Sequence, residues 1–276
     1  MAITAADVNN LRKQTGAGMM DCKNALVETD GDFEAAVDVL RKKGQKVAAK
    51  RGDNEAKEGV VFAQATTDGK TGVVLALNCE TDFVAKNDDF RNFVQSLVDI
   101  AIAKLPSSTD ELLSAAYNDK LTVNEKITEQ VGVVGEKLDL SGFAVIKAEK
   151  VVAYNHPGNQ LATLVGLNSG SDVADDAGKQ VAMQVAAMNP LSLNKEGIDA
   201  DTISRELEIG KDLAIQEGKP AEMAAKIAEG RLNKFFKENT LLSQDFVRDN
   251  KMSVEQFLTS SEKGLTVVDF KRIALG

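Results

Sequence analysis

The chain has 276 residues, 43% hydrophobic and 27% charged, which is typical of a soluble globular protein large enough for two compact units. The formal net charge is −9, so the molecule as a whole repels nucleic acid and anionic membranes. No apolar run approaches the roughly 20 residues that span a bilayer, and the N-terminus lacks a signal-peptide pattern, so we expect a cytoplasmic protein that contacts no membrane.

Residues 1–52 are predicted to form a module of three short helices. Apolar residues recur at helical spacing over 7–14, 19–28 and from 33 to just before Gly44. The basic run 41–51, most simply a solvated helix face, then leads into a linker near Gly52. The module carries +2 from 9 basic and 7 acidic residues, so it differs electrostatically from the acidic remainder.

Residues 53–140 are predicted to form the first core subdomain, which begins with a β-hairpin. Two apolar runs, 59–66 and 71–78, flank Asp68-Gly69, and both of these residue types accept the positive φ that a tight hairpin turn requires. An amphipathic helix is predicted at 85–105. Two shorter helices are predicted at about 109–117 and 122–134.

Residues 141–276 repeat the pattern as a second core subdomain. Strands predicted at 143–154 and 161–168 form a hairpin, and a helix follows at about 173–188. The two strand-to-helix junctions align with Asp82 opposite Asp172 if one gap is placed opposite Phe83. We therefore predict an α+β fold in which two related hairpin-plus-helix subdomains share one larger sheet.

An antiparallel helical hairpin is predicted to interrupt the second subdomain at about 199–236. Gly218 and Pro220 between its helices are typical of a helix end and a helix start. Each helix is about 25 Å long, enough to project as an arm. A short helix at 253–258 and a closing strand at 265–274 complete the prediction.

Few residues could support catalysis or hold a metal. Cys22 and Cys79 are far apart and lack CxxC spacing, which argues against a zinc site or a disulfide. Cys79 lies beside Glu80, so we expect a raised pKa, the wrong direction for a nucleophile. A catalytic protein that uses Cys79 or His156 remains one alternative. An RNA-binding protein that uses 41–51 is another, and the net charge counts against it.

The corner between the first hairpin and the following helix is the informative segment. Asp82 is placed to cap that helix, but capping does not explain Phe83. The ring either fills a local core or forms a hydrophobic wedge beside a carboxylate, offered to another molecule. Of the adjacent Met19 and Met20, one is expected to fill the core and the other to contact a partner.

Four motifs together resemble the family of bacterial translation elongation factors Ts, in order and over almost the whole chain. The motifs are Thr15-Gly16-Ala17-Gly18-Met19-Met20-Asp21-Cys22-Lys23, Asn78-Cys79-Glu80-Thr81-Asp82-Phe83-Val84-Ala85, Tyr154-Asn155-His156-Pro157-Gly158, and Gly218-Lys219-Pro220 with Glu229-Gly230-Arg231.

The resemblance implies a guanine nucleotide exchange factor for elongation factor Tu and not an enzyme. Such a factor binds the partner with GDP, displaces its magnesium and promotes GDP release, so that GTP can bind during translation elongation. Its partner is elongation factor Tu in the GDP-bound and nucleotide-free forms. The chain itself would bind neither nucleotide nor specific nucleic acid, and would need no metal or cofactor.

The resemblance also assigns roles to individual residues. Residues 1–52 would be a ubiquitin-associated-like module that docks on the partner's GTPase domain. Thr81, Asp82, Phe83 and Val84 match the element that intrudes near the partner's magnesium. The remaining matched contact positions are Arg12, Met19, Met20 and His156.

Two departures from the family pattern bear on these roles. Asn159-Gln160-Leu161 stand where a glycine, a basic residue and an isoleucine are usual, which affects the second contact region at His156. The chain ends at Gly276 without the additional C-terminal helix of some members, which implies weaker affinity. The stoichiometry stays open, and two copies could pair through the core or the helical arm.

Overall fold

The computed structural model describes residues 3–276, apart from the side chain of Ala221. Its helices are α1 (Ala5–Thr15), α2 (Met19–Glu28), α3 (Phe33–Arg51), α4 (Asp82–Ala85), α5 (Asp88–Lys104), α6 (Thr109–Ser114), α7 (Val123–Val134), α8 (Asp172–Met188), α9 (Ala200–Gln216), α10 (Ala221–Asn239) and α11 (Val254–Ser261). Its strands are β1 (Glu58–Ala65), β2 (Thr71–Cys79), β3 (Asp139–Lys147), β4 (Lys150–Asn155), β5 (Leu161–Leu167), β6 (Asp245–Phe246), β7 (Asp249–Ser253) and β8 (Val267–Ala274).

Helices α1 to α3 bury a small core of their own. Thr4 begins α1 with a capping box that includes Asp7, and Gly16 ends it in the left-handed conformation, with φ of 74°. Asp32 caps α3 through its side chain. The core between the helices includes Val8, Leu11, Cys22, Ala25, Leu26 and Ala36.

The sequence predicted that α3 ends just before Gly44. In the structure the helix continues to Arg51. A glycine is needed at position 44 because α7 crosses there: a Cβ on Gly44 would lie 3.1 Å from the Thr128 carbonyl oxygen. A Cβ on Gly132 of α7 would lie only 2.7 Å from the Gly44 Cα. The glycine therefore allows close helix packing, and the basic run belongs to one helix.

The core contains two antiparallel three-stranded sheets, with strand orders β1-β2-β3 and β4-β5-β8. The prediction of a single larger sheet is therefore wrong. The segment predicted as one strand at 143–154 forms two strands. The first, β3, pairs with β2, and the second, β4, pairs with β5. The chain therefore crosses between the sheets at residues 148–149.

The two sheets pack face to face. A Cβ on Gly72 would lie 2.5 Å from Val151 Cγ1 and 2.9 Å from Leu164 Cδ2, so this glycine lets the sheets approach closely. The apolar layer between them includes Val61, Val74, Ile146, Val151, Ala162 and Leu164. Helices α5 to α7 cover the outer face of the first sheet, and α8 and α11 that of the second.

The two halves of the core repeat one topology, a hairpin followed by helices and a closing strand. Matching register shifts occur at Ala76/Leu77 and at Gly166/Leu167. The arm, α9 and α10, is inserted between α8 and α11, in agreement with the predicted antiparallel hairpin. Within the described residues, no helix is both long and apolar enough to cross a membrane. The division at 52/53 and 140/141 stays a prediction.

Candidate functional site

The first corner, residues 80–87, joins β2 to α5 through the single turn α4. Thr81 is the N-cap, and its Oγ1 accepts a hydrogen bond from the Val84 backbone N–H at 3.4 Å. The expectation that Asp82 caps the helix is wrong, because the Thr81 hydroxyl occupies that position. Asp82 is the first helical residue and accepts a hydrogen bond from Lys86 Nζ at 2.6 Å. This bond lowers the pKa of Asp82 and raises that of Lys86.

Phe83, the second residue of α4, is 83% exposed, more than any other large hydrophobic side chain of the described residues. The alternative that it fills a local core is therefore wrong. Its neighbours anchor the turn instead, since Ala85 is buried and Val84 packs against the core of the first sheet. The corner presents an aromatic ring to solvent beside the Asp82 carboxylate.

Glu136, in the loop after α7, holds the first corner through hydrogen bonds to its carboxylate. Its Oε1 accepts a hydrogen bond from Thr81 Oγ1 at 2.6 Å. Its Oε2 accepts from the backbone N–H groups of Thr81 at 3.0 Å and Glu80 at 3.1 Å. One carboxylate thus satisfies three donors where β2 ends, which fixes the backbone that carries α4.

Glu80 contacts the loop that carries Glu136 and also connects the corner to the end of α3. Its carboxylate accepts hydrogen bonds from the Lys137 backbone N–H at 2.6 Å and from Arg51 Nη1 at 2.9 and 2.8 Å. Asn54 Nδ2 adds a third donor at 3.0 Å. The Lys137 hydrogen bond, then those of Arg51 and Asn54, lower the pKa of Glu80. The last residue of α3 is thereby attached to the first corner.

Cys79, which precedes the corner, is buried and donates its Sγ–H to the Thr81 carbonyl at 3.2 Å. Burial, followed by the nearby Glu136 carboxylate, raises the pKa of the thiol to about 12. The predicted direction is confirmed. The pKa is raised by burial and by the carboxylates of Glu136 and Glu58, whereas the sequence had suggested Glu80.

Met19 and Met20 begin α2, and both are exposed, by 53% and 64%. The expectation that one fills the core is wrong, because Cys22, Ala25 and Leu26 supply the buried face of α2. A shallow groove beside the two methionines is lined by Ile3, Val8, Asn9, Met19, Met20 and Lys23. Arg12 is exposed one turn after Val8 on α1.

His156 is exposed at the tip of the β4–β5 hairpin, where its Nδ1 lies 3.0 Å from Tyr154 Oη. The tip is fastened to β1, since the Asn155 side chain accepts from the Ala63 N–H at 2.8 Å and donates to its carbonyl at 2.9 Å. Asn159 adopts a φ of 57°, a left-handed conformation that asparagine accepts more readily than most residues. The hairpin turn therefore forms without a glycine at this position.

Sequence reasoning singled out residues 81–84 of the first corner and missed Glu136, which holds their backbone. Thr81 and Glu136 are 55 positions apart, and no local pattern links them. The structure does not bring all the expected contact residues to one place: the methionines lie on the module, Phe83 on the first corner and His156 on the second hairpin. Among the described residues, no group of three or more His, Cys, Asp or Glu could hold a metal ion.

Comparisons with known proteins point to one family. Residues 80–276 match the family model described as Elongation factor TS. Elongation factor Ts of Christiangramia forsetii is 52% identical over 274 residues, which cover 99% of each chain. Its counterpart in Flavobacterium psychrophilum is 50% identical over 275 residues, again 99% of each chain. That of Porphyromonas gingivalis is 46% identical over 275 residues, 100% of this chain and 99% of the relative.

Proposed function

The chain belongs to the elongation factor Ts family, and on that premise we propose that it is a guanine nucleotide exchange factor that opens elongation factor Tu with Phe83. It binds the GDP form in the cytoplasm, disturbs the bound magnesium and promotes GDP release, so that GTP can bind during translation elongation. No covalent bond is made or broken, so the protein acts by differential binding and not as an enzyme.

The observation that carries this proposal is the exposed Phe83 ring on a braced corner. A phenylalanine in water contributes little to folding, and burying it in a partner contributes about 2 to 3 kcal/mol. In the proposed mechanism, Asp82 and Phe83 enter between helices of the partner near its magnesium. The ion neutralises phosphate charge, so its displacement weakens the hold on GDP.

Linkage requires the factor to bind the nucleotide-free partner more tightly than the GDP form, and GDP must weaken the factor's binding to the same extent. A thousandfold faster release needs about 4 kcal/mol of differential binding, at roughly 1.4 kcal/mol per tenfold. Phe83 alone is insufficient. The rest comes from other contacts: the ubiquitin-associated-like module with Arg12, Met19 and Met20, and the hairpin tip with His156.

The attachment of the module to the core supports a joint action of these contacts. The close crossing at Gly44 and Gly132, the Arg41–Glu129 ion pair at 2.6 Å and the Arg51–Glu80 pair at 2.8 Å fix α3 against the core. Docking of the module on the partner's GTPase domain then also sets the position of Phe83.

Neither alternative function gains support from the site. The thiol of Cys79 is buried and has a high pKa, which opposes a nucleophilic role. Both arginines of the basic run, Arg41 and Arg51, are paired with glutamates of the core, which lowers the positive charge available to RNA.

The test is release of labelled GDP from purified elongation factor Tu, with and without this protein. We expect release to accelerate strongly and saturably with added protein. Excess unlabelled GDP should weaken the complex between the two proteins, because the coupling is reciprocal. An unchanged release rate would contradict the proposal. The mass of the complex in solution would show whether two copies pair.

A further inference from the structure

We propose that Glu136 is a positioning residue for nucleotide exchange, which fixes the direction of Phe83 by holding Thr81. This inference rests on the role proposed above for Phe83. Glu136 lies 53 positions from Phe83 in the chain and acts on it through the backbone of the first corner.

The need for a positioning residue arises from the length of α4. A helix of four residues makes too few internal hydrogen bonds to be stable by itself, so its direction depends on how its ends are held. At the far end, Arg91 Nε donates to the Ala85 carbonyl at 3.2 Å, and Asn87 begins α5. At the near end, Glu136 accepts two hydrogen bonds from Thr81 and one from the Glu80 backbone, and the Cys79 thiol donates to the Thr81 carbonyl. Thr81, two residues before Phe83, is thereby held.

Glu136 is itself held in a fixed place. It comes directly after Gly135, which ends α7 in the left-handed conformation with φ of 75°. The next residue, Lys137, donates its backbone N–H to Glu80 at 2.6 Å, and its Nζ donates to the Gly52 and Asn54 carbonyls at 2.7 and 3.0 Å. The carboxylate therefore acts as a rigid support for the corner.

The second half of the chain contains a simpler brace, made through serine side chains and not through backbone N–H groups, and it carries no exposed aromatic ring. Ser171 caps α8 and donates its hydroxyl to Glu262, the residue directly after α11. There α8 is a continuous helix of 17 residues, which depends little on the brace for its direction. Glu262 is consequently a matched control: a brace in the corresponding place that positions no phenylalanine.

The experiment compares Glu136→Gln with Glu262→Gln in the labelled-GDP release assay, each in the full chain. The carboxamide keeps the size of the side chain but replaces one acceptor oxygen by a donor that opposes the donors of residues 80 and 81. We expect Glu136→Gln to slow release at saturating factor about tenfold, with little change in the half-saturating concentration. Glu262→Gln should leave both quantities unchanged at a temperature where both variants are folded.

A double variant separates positioning from a general loss of stability. If Glu136 acts through Phe83, Phe83→Ala/Glu136→Gln should release GDP no more slowly than Phe83→Ala alone. Thr81→Val, which replaces the hydroxyl by a methyl group and so removes both its bond to Glu136 and the cap of α4, gives a second measure if Glu136→Gln folds poorly, and it should also slow release at saturation.

Three results would overturn the inference: additive losses in the double variant, an equal loss in Glu262→Gln, or a change confined to the half-saturating concentration. If Phe83→Ala itself releases GDP at the normal rate, the role proposed for Phe83 fails. A normal rate for Glu136→Gln beside a slow Phe83→Ala contradicts only the role of Glu136.

Discussion

The first corner (residues 80–87) and the second corner (residues 168–173) occupy corresponding places in the two halves of the core. Counted from their N-caps, Thr81 and Ser171, each corner has an aspartate first and an exposed apolar residue second. Counted in this way, Phe83 corresponds to Val173, and the alignment gap expected opposite Phe83 stays a prediction. Phe83 is 83% exposed and Val173 is 49% exposed.

The corners differ in the helix that their caps begin. In the second, the helix continues for 17 residues, whereas in the first α4 ends at Ala85 and α5 begins separately at Asp88. The first corner thus places its ring on a turn of its own, supported by Glu136. The second corner contributes to folding. The first corner contributes to folding and, in our proposal, also to recognition of the partner.

The most direct test of this comparison replaces the two matched side chains. We expect Phe83→Ala to slow stimulated GDP release about 30- to 140-fold, since a buried phenylalanine contributes about 2 to 3 kcal/mol. Val173→Ala should leave the rate unchanged. Both variants should melt near the temperature of the unchanged protein, because both side chains are exposed. Equal losses of exchange in the two variants would contradict the distinction.

A second test concerns the contact between the module and the partner, away from the first corner. Replacing Met19 and Met20 together by serine should raise the half-saturating concentration about tenfold, because two exposed apolar contacts are lost. The rate at saturation should also fall, because in our proposal the module supplies part of the differential binding that releases GDP. Val27→Ser is the control, since Val27 is also exposed on α2 but lies outside the groove. A raised concentration for Val27→Ser would show that the groove is not the contact surface.

A third test concerns the second corner as a structural element. Ser171→Ala removes the cap of α8 and the hydrogen bond to Glu262, so the free energy of unfolding should fall by about 1 kcal/mol. The melting temperature should fall by about 2 to 4 °C, as measured by calorimetry. GDP release at 25 °C should stay normal, and a slower release would assign this corner a role in exchange.

The smallest expected effect is on the acid sensitivity of the first corner. The pKa of Glu80 is lowered below its ordinary 4.5 in the folded chain, so its hydrogen bonds stabilise the fold above pH 4.5. This contribution is lost as the pH falls below 4.5 through the folded-state pKa. Between pH 5 and about pH 3, the melting temperature of Glu80→Gln should therefore fall by less than that of the unmodified protein. Parallel curves would contradict the assignment.

Local patterns in the sequence were sufficient for most helices and strands. The Asp68-Gly69 turn predicted the β1–β2 hairpin, and the spacing of apolar residues predicted α5, α8 and the two arm helices, because periodicity reports directly which face is buried. Gly44 was misread as a helix end. Its role is to admit α7, and a contact with a helix some 80 residues further along the chain leaves no local signal.

By itself the sequence determined the elements, the internal repeat and the family, since these depend on neighbouring residues and on motifs read in order. Only the tertiary structure decided that β3 and β4 belong to different sheets, that Phe83 faces solvent and that Glu136 supports Thr81. Each of these depends on which distant segments pack together. Packing is set by the complementarity of whole surfaces, and no short stretch of residues encodes it.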